Sequence, residues 1–305
     1  MLCIKHIHWL VRADFELYNN DVASHVIKQL IVMKHIQIKG YSYATILLLM
    51  LGLLYSCGES NDINDTQITE PDTSVDSVEP LDSYIIAHAC NWTQFNNPMN
   101  SRAAFESALN LKVYGVEFDV NQTADGVFVI YHDISINNKN ISSLNYSDLS
   151  DFHLSNGENI PTLDDFLSIY RSAKVNIKLV VELKRGNVSD LLKKINDYNL
   201  LNNVLLVSFN QNYCQEFVQT GYGKKVVYNI SDESLAVSPL EIKRMGYMGV
   251  SYHFSLLDKH ADWINEAKQN GIRVFVWTID DSEKLNFYTR QEVIVTTNYP
   301  WKFSN

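Results

Sequence analysis

The sequence predicts a single (β/α)8 barrel of TIM type, an α/β fold with a parallel sheet, over residues 81–305. Three observations lead there. Short apolar, β-branched runs alternate with amphipathic stretches along that whole segment, the pattern of strand–helix units in a parallel sheet. Eight units fall within it, which suits a closed barrel better than an open doubly wound sheet, and no glycine-rich phosphate loop follows the first run. Several of the apolar runs also end in polar residues, which a parallel barrel would gather at one mouth.

The first strand is expected over 84–88 (YIIAH), followed by a helix at 101–111. The second covers 114–120 (YGVEFDV), and the run 127–133 (VFVIYHD) is read as an accessory to it. Pro161-Thr162 opens an amphipathic helix at 162–173. The third strand, 177–184 (IKLVVELK), precedes a helix at 188–198, and the fourth, 203–209, precedes one at 211–220. The fifth, 224–230, leads to a helix opened by Ser238-Pro239. Strand 247–252 leads to a helix at 257–270, strand 272–279 to one at 281–289, and strand 292–298 closes the series.

Ahead of this segment the chain reads as an address. From Met33, a natural initiator, residues 33–56 hold a short basic region (Lys34, Lys39), an apolar run from Ile46 to Leu54 and a cleavage-like end, the grammar of a signal peptide. The apolar run is short for a membrane span. Residues 1–32 are then expected to be an upstream extension from a misplaced start codon. Leu54-Tyr55-Ser56-Cys57 resembles a bacterial lipobox, which implies cleavage before Cys57 and lipidation of its thiol. Residues 57–80 follow as an acidic tether: 58–80 contain seven acids and no Lys or Arg. The expected location is the bacterial cell envelope, lipid-anchored at the outer membrane, on its periplasmic or surface side.

The net charge of −10 over 305 residues argues against a general nucleic-acid binder, which would show a basic face. Nothing in the chain points to a protein partner. The four cysteines, Cys3, Cys57, Cys90 and Cys214, lack paired metal-type spacing, so Cys90 and Cys214 are read as unpaired thiols.

The chemistry sits at the strand ends. Glu117 and Asp119 are two apart on one strand and share a face. Two like charges there call for a positive partner, and a hard divalent cation such as Ca²⁺ or Mg²⁺ supplies one, although a solvated strand end would also suffice. Glu182 and Lys184 repeat the spacing on the next barrel strand, either as a local salt bridge or as a third metal ligand with a phosphate contact. His88 and His132 end neighbouring runs, where two imidazoles can serve as general acid and base. Asp133 would orient an imidazole or cap a turn, and His253 also follows a strand. Trp277 and Trp92 are candidates for an apolar wall against the organic part of a substrate.

The ordered set His88 … Glu117-x-Asp119 … His132-Asp133 … Glu182-x-Lys184, with the ending VWTIDDSEKLNF … VTTNYP, resembles the glycerophosphodiester phosphodiesterases over 84–301. The resemblance implies metal-dependent hydrolysis of glycerophosphodiesters to glycerol 3-phosphate and an alcohol. It assigns the acid–base pair to His88 and His132, the divalent metal to Glu117, Asp119 and Glu182, and phosphate contact to Lys184. Attack would come from water or from the substrate's own glycerol hydroxyl.

Two departures stand out. The family's Arg after the first histidine is Ala89 here, followed by Cys90, and its Pro-Glu-Asn-Thr stretch is Pro98-Met99-Asn100-Ser101, with Asn100 and Ser101 kept as helix-start residues. Loss of that bidentate anion clamp motivates an alternative, a relative that binds a phosphorylated ligand without turning it over. A phospholipase C-like or sphingomyelinase D-like enzyme of the same fold is the other.

Overall fold

The computed structural model describes residues 83–304. The segments expected at 1–32, 33–56 and 57–80, with the lipidation site at Cys57, lie outside the described residues. No helix among the described residues is long and apolar enough to cross a membrane.

In chain order the elements begin with β1 (Ile85–Ala87), α1 (Arg102–Leu109), β2 (Gly115–Gln122) and β3 (Phe128–Ile130). A small hairpin, β4 (Ser135–Ile136) and β5 (Lys139–Asn140), leads to α2 (Leu163–Ala173). Then come β6 (Lys178–Arg185), α3 (Val188–Asp197), β7 (Val204–Ser208), α4 (Gln211–Gln219), β8 (Val226–Ile230) and α5 (Pro239–Arg244). The chain ends through β9 (Gly249–His253), α6 (Phe254–Lys259), α7 (Trp263–Asn270), β10 (Arg273–Trp277), α8 (Ser282–Thr289) and β11 (Ile294–Thr297). Strands β1, β2, β6, β7, β8, β9, β10 and β11 pair in parallel in that order, and β11 returns to β1, so the sheet is a closed (β/α)8 barrel. Strand β3 pairs antiparallel with the end of β2, Val120 against Ile130, the accessory role expected of it.

Side-chain alternation builds the layers. Along β6, Leu179, Val181 and Leu183 pack outward into the strand–helix layer. Val180 faces inward, where it meets Ile86, Leu205, Val207, Val227, Phe275 and Ile294 in the barrel interior. Gly249 makes room there: a Cβ would stand 3.0 Å from the Phe275 ring and 2.6 Å from the Arg273 carbonyl oxygen. On the outside, Phe166 of α2 stacks on Phe105 of α1 (4.1 Å, 15°) and meets Phe118 of β2 edge-on (5.1 Å, 70°). Each such ring contributes about 1.5–3 kcal/mol on burial, and the cluster braces the strand that carries Glu117 and Asp119. Helix starts follow the polar signals: Ser101 accepts the Ala104 N–H, and Thr162 and Asp165 form a reciprocal capping box.

Two expectations change. The helix expected at 257–270 is two, because His260 leaves helical geometry (φ −119°, ψ 56°). Its ring lies flat on Trp263 at 4.0 Å, and its Nε2 pairs with Glu233 at 2.7 Å, contacts that a continuous helix would not offer. The strand expected over 127–133 stops at Ile130. Beyond it the Asn121 amide draws in the carbonyls of Tyr131 and Asp133 (2.8 and 3.2 Å) and turns His132 out of the sheet. In the stretch 134–161, Ile136, Ile141, Leu149 and Ile160 pack with Val129 as a separate apolar cluster.

Candidate active site

On three of the strands the inward-facing series changes from apolar to polar at its C-terminal end: Ile86 to His88, Val180 to Glu182 and Lys184, Val227 to Asn229. These ends surround a cavity of roughly 250 Å³, lined also by Glu117, Asp119, His132, Phe209 and Trp277. The six polar residues singled out in the sequence, His88, Glu117, Asp119, His132, Glu182 and Lys184, therefore line one cavity at the C-terminal mouth.

Each carboxylate is held by a different neighbour. Glu117 Oε2 accepts the Ala89 backbone N–H at 2.7 Å. Asp119 Oδ2 accepts Asn100 Nδ2 at 2.8 Å, and Glu182 Oε2 accepts Asn229 Nδ2 at 3.1 Å. Lys184 Nζ stands 3.1 Å from Asp119 Oδ1 and 2.6 Å from Glu182 Oε1. Ligand atoms of Glu117, Asp119 and Glu182 all lie within 4.8 Å of one another, and all three residues are buried.

One ammonium does not balance three buried carboxylates. Burial, followed by repulsion from Asp119 and Glu182, drives the Glu117 carboxyl well above the ordinary range. Burial and then Asp119 push Glu182 up to about 7, against the pull of Lys184. Burial works against the charge on Lys184, yet Asp119 and Glu182 outweigh it and raise its pKa. An all-oxygen cluster with surplus negative charge fits a hard divalent cation, and these three residues would hold it.

His88 Nδ1 lies 2.7 Å from Asn298 Oδ1, and His132 Nδ1 lies 2.8 Å from Asp133 Oδ1. Asp133 thus meets an imidazole, one of the two roles the sequence left open. His132 and Asp133 are half exposed or more (50% and 65%), so their pairing is open to water.

The aromatic residues separate. Trp277 lines the cavity, edge-on to Phe209 (5.4 Å, 89°). Trp92 does not line it: its ring packs against the strand–helix core and its Nε1 donates to Asn298 Oδ1 at 3.3 Å, one layer behind His88. His253 is also set back; its Nδ1 accepts from Ser255 at the start of α6, and its ring abuts Trp277. Ala89 is buried with φ 43°, and Lys184 is the only Lys or Arg among the described residues lining the cavity.

Asn229 and Asn298 were passed over in the sequence although each ends an expected strand, the same signal that marked His88 and Glu182. Asn100 lies in a loop and carried no such signal. It is more than a helix-start residue: buried at φ 61°, it turns its amide onto Asp119.

A closed parallel barrel with carboxylates, imidazoles and one ammonium around its C-terminal mouth defines a barrel hydrolase site. The family model of the glycerophosphoryl diester phosphodiesterase family matches residues 93–300, and the chain belongs to that family. A glycerophosphodiester phosphodiesterase from Caldanaerobacter subterraneus is 25% identical over 226 residues, covering 67% of this chain and 89% of that protein. The crystal structure of a glycerophosphodiester phosphodiesterase from Parabacteroides distasonis is 34% identical, with a TM-score of 0.67 over 72% of this chain and 94% of that one. An Oleispira antarctica phosphodiesterase, solved in complex with its product sn-glycerol-3-phosphate, shares the fold at 22% identity and a TM-score of 0.60, covering 72% and 94% of the two chains. The protein is a phosphoric diester hydrolase of the glycerophosphodiester phosphodiesterase type.

Proposed function

We propose that this site hydrolyses a small glycerophosphodiester to glycerol 3-phosphate and an alcohol, using a divalent cation, Ca²⁺ or Mg²⁺, held by Glu117, Asp119 and Glu182. The observation that carries the reading is the meeting of His88 and His132 with those three carboxylates around one cavity. A cation bound there supplies a Lewis acid for the phosphoryl oxygens. One imidazole takes the proton of the attacking oxygen, which forms the new bond to phosphorus. The other gives a proton to the alcohol oxygen as its bond to phosphorus breaks. Lys184 adds positive charge beside the phosphate, and Trp277 with Phe209 forms an apolar wall on the side of the organic group.

Incubation of the purified protein with glycerophosphocholine, with Ca²⁺, with Mg²⁺ and with a chelator, tests the reading. Release of glycerol 3-phosphate that depends on the cation supports it. A diacylglycerol or cyclic phosphate product from a phospholipid, with no turnover of the glycerophosphodiester, would overturn it.

We also infer that the chain is lipid-anchored through Cys57 in the bacterial outer membrane, on the lipobox-like Leu54-Tyr55-Ser56-Cys57 and the acidic tether that follows. A Cys57→Ser chain that remains in the membrane fraction and takes up fatty-acid label would refute this.

A further inference from the structure

We propose that Asn298 and Asp280 are positioning residues that hold His88 as the tautomer protonated on Nδ1, which leaves Nε2 as the nitrogen that exchanges protons with the substrate. The catalytic consequence rests on the hydrolytic reading above, whereas the tautomer follows from the hydrogen bonds alone.

The argument begins at the Asn298 side chain, whose two ends differ only as donor and acceptor. Its Nδ2 faces Asp280 Oδ2 at 2.8 Å, and an ionised carboxylate can only accept. Its Oδ1 faces Trp92 Nε1 at 3.3 Å, and an indole N–H can only donate. Turning the amide over would set N–H against N–H and oxygen against carboxylate, so both neighbours select the same orientation. His88 Nδ1 meets that same Oδ1 at 2.7 Å, and a carbonyl oxygen can only accept. The Nδ1 atom therefore carries the hydrogen, and in the neutral ring the lone pair resides on Nε2.

The backbone holds the amide in place as well. The Asn298 N–H donates to Asp280 Oδ1 at 2.9 Å, and the Asn298 carbonyl accepts the Thr93 hydroxyl. Thr297 Oγ1 donates to Asp280 Oδ1 at 3.1 Å, and the His88 N–H donates to the Thr297 carbonyl at 3.0 Å. Asp280 follows β10, Asn298 follows β11 and His88 follows β1, so the relay crosses three adjacent strand ends. An imidazole without such a partner divides its proton between two nitrogens, and only one of these tautomers serves. At His132 the neighbouring Asp133 performs the task directly and in the open.

The ¹⁵N spectrum of the histidine-labelled protein reads the tautomer, with His88 assigned by comparison with His88→Gln. The expected result for the neutral ring is a protonated Nδ1 and an unprotonated Nε2. Asn298→Asp should lower kcat by roughly 10- to 100-fold with a smaller change in KM, because it places a second carboxylate against Asp280. The exchanged pair Asp280→Asn with Asn298→Asp keeps the acceptor for His88 and Trp92 and restores a hydrogen-bond donor between positions 280 and 298. It should recover most of the lost kcat and retain the Nδ1 proton. A wild-type spectrum with the proton on Nε2, or an exchanged pair no better than Asn298→Asp alone, would overturn the assignment. Wild-type protein inactive on diesters, with the tautomer as stated, would instead count against the hydrolytic reading.

Discussion

Asn100 grips Asp119 at two points, donating from Nδ2 to Asp119 Oδ2 at 2.8 Å and accepting the Asp119 backbone N–H on Oδ1 at 3.2 Å. A loop residue thus sets the angle of a strand-end carboxylate. The grip requires the left-handed backbone at Asn100, a conformation Asn tolerates better than most residues. Asn100→Gly keeps that backbone and removes both bonds. It is expected to weaken divalent-cation binding by about 10- to 100-fold, the usual effect of losing a group that orients a ligand. Calorimetric titration with Ca²⁺ and Mg²⁺ measures it, and unchanged affinity would show that Asp119 does not depend on the grip.

Cation binding is expected to depend on pH. Glu182 is raised to about 7 and Glu117 is also raised, so the folded protein binds more protons than the unfolded chain between the ordinary carboxylate range and about pH 7. Stability from this cluster is present at low pH and falls as the pH rises through that window, where the carboxylates become charged together. A cation offsets their repulsion only once they are ionised. The rise in Tm on adding Mg²⁺ or Ca²⁺ should therefore be larger near about pH 8 than near about pH 5.5, a comparison that thermal melts supply. Equal shifts at both values would argue that the cation binds elsewhere.

His132→Ala should lower kcat by about 10²- to 10⁴-fold while the melt is unchanged, as expected of an exposed proton carrier. Asp133→Ala should cost far less, under about tenfold, because water can replace the half-exposed carboxylate at the His132 ring. Steady-state kinetics on glycerophosphocholine separate the two, and full activity in His132→Ala removes it from the mechanism.

Phe166→Ala tests the brace behind β2. Removal of a fully buried ring that touches both Phe105 and Phe118 should destabilise the fold by about 3–5 kcal/mol. Chemical denaturation measures that loss. The ring lies outside the barrel, so kcat well below the melting temperature should stay within a few-fold of wild type.

Much of the barrel was legible in the sequence because burial on both faces demands unbroken apolar runs, and a polar residue at the end of such a run is conspicuous. His88, Glu117, Asp119, His132, Glu182 and Lys184 all carry that signal, and all six line one cavity. The break at His260 was not legible, because the helical pattern runs through it and only its partners Glu233 and Trp263 interrupt the helix. Trp92 illustrates the opposite error: a loop indole suggested a substrate wall, but its N–H was needed by Asn298.

The order of strand-end polar groups along the chain determined the fold class and the kind of chemistry, since residue type and two-residue spacing are local properties. Only the tertiary structure decided which neighbour holds each of those groups. Asn100 to Asp119, Asn229 to Glu182 and Asn298 to His88 are separated by 19, 47 and 210 positions. An amide's partner depends on barrel closure, which brings β11 beside β1, and no periodicity along the chain encodes that adjacency.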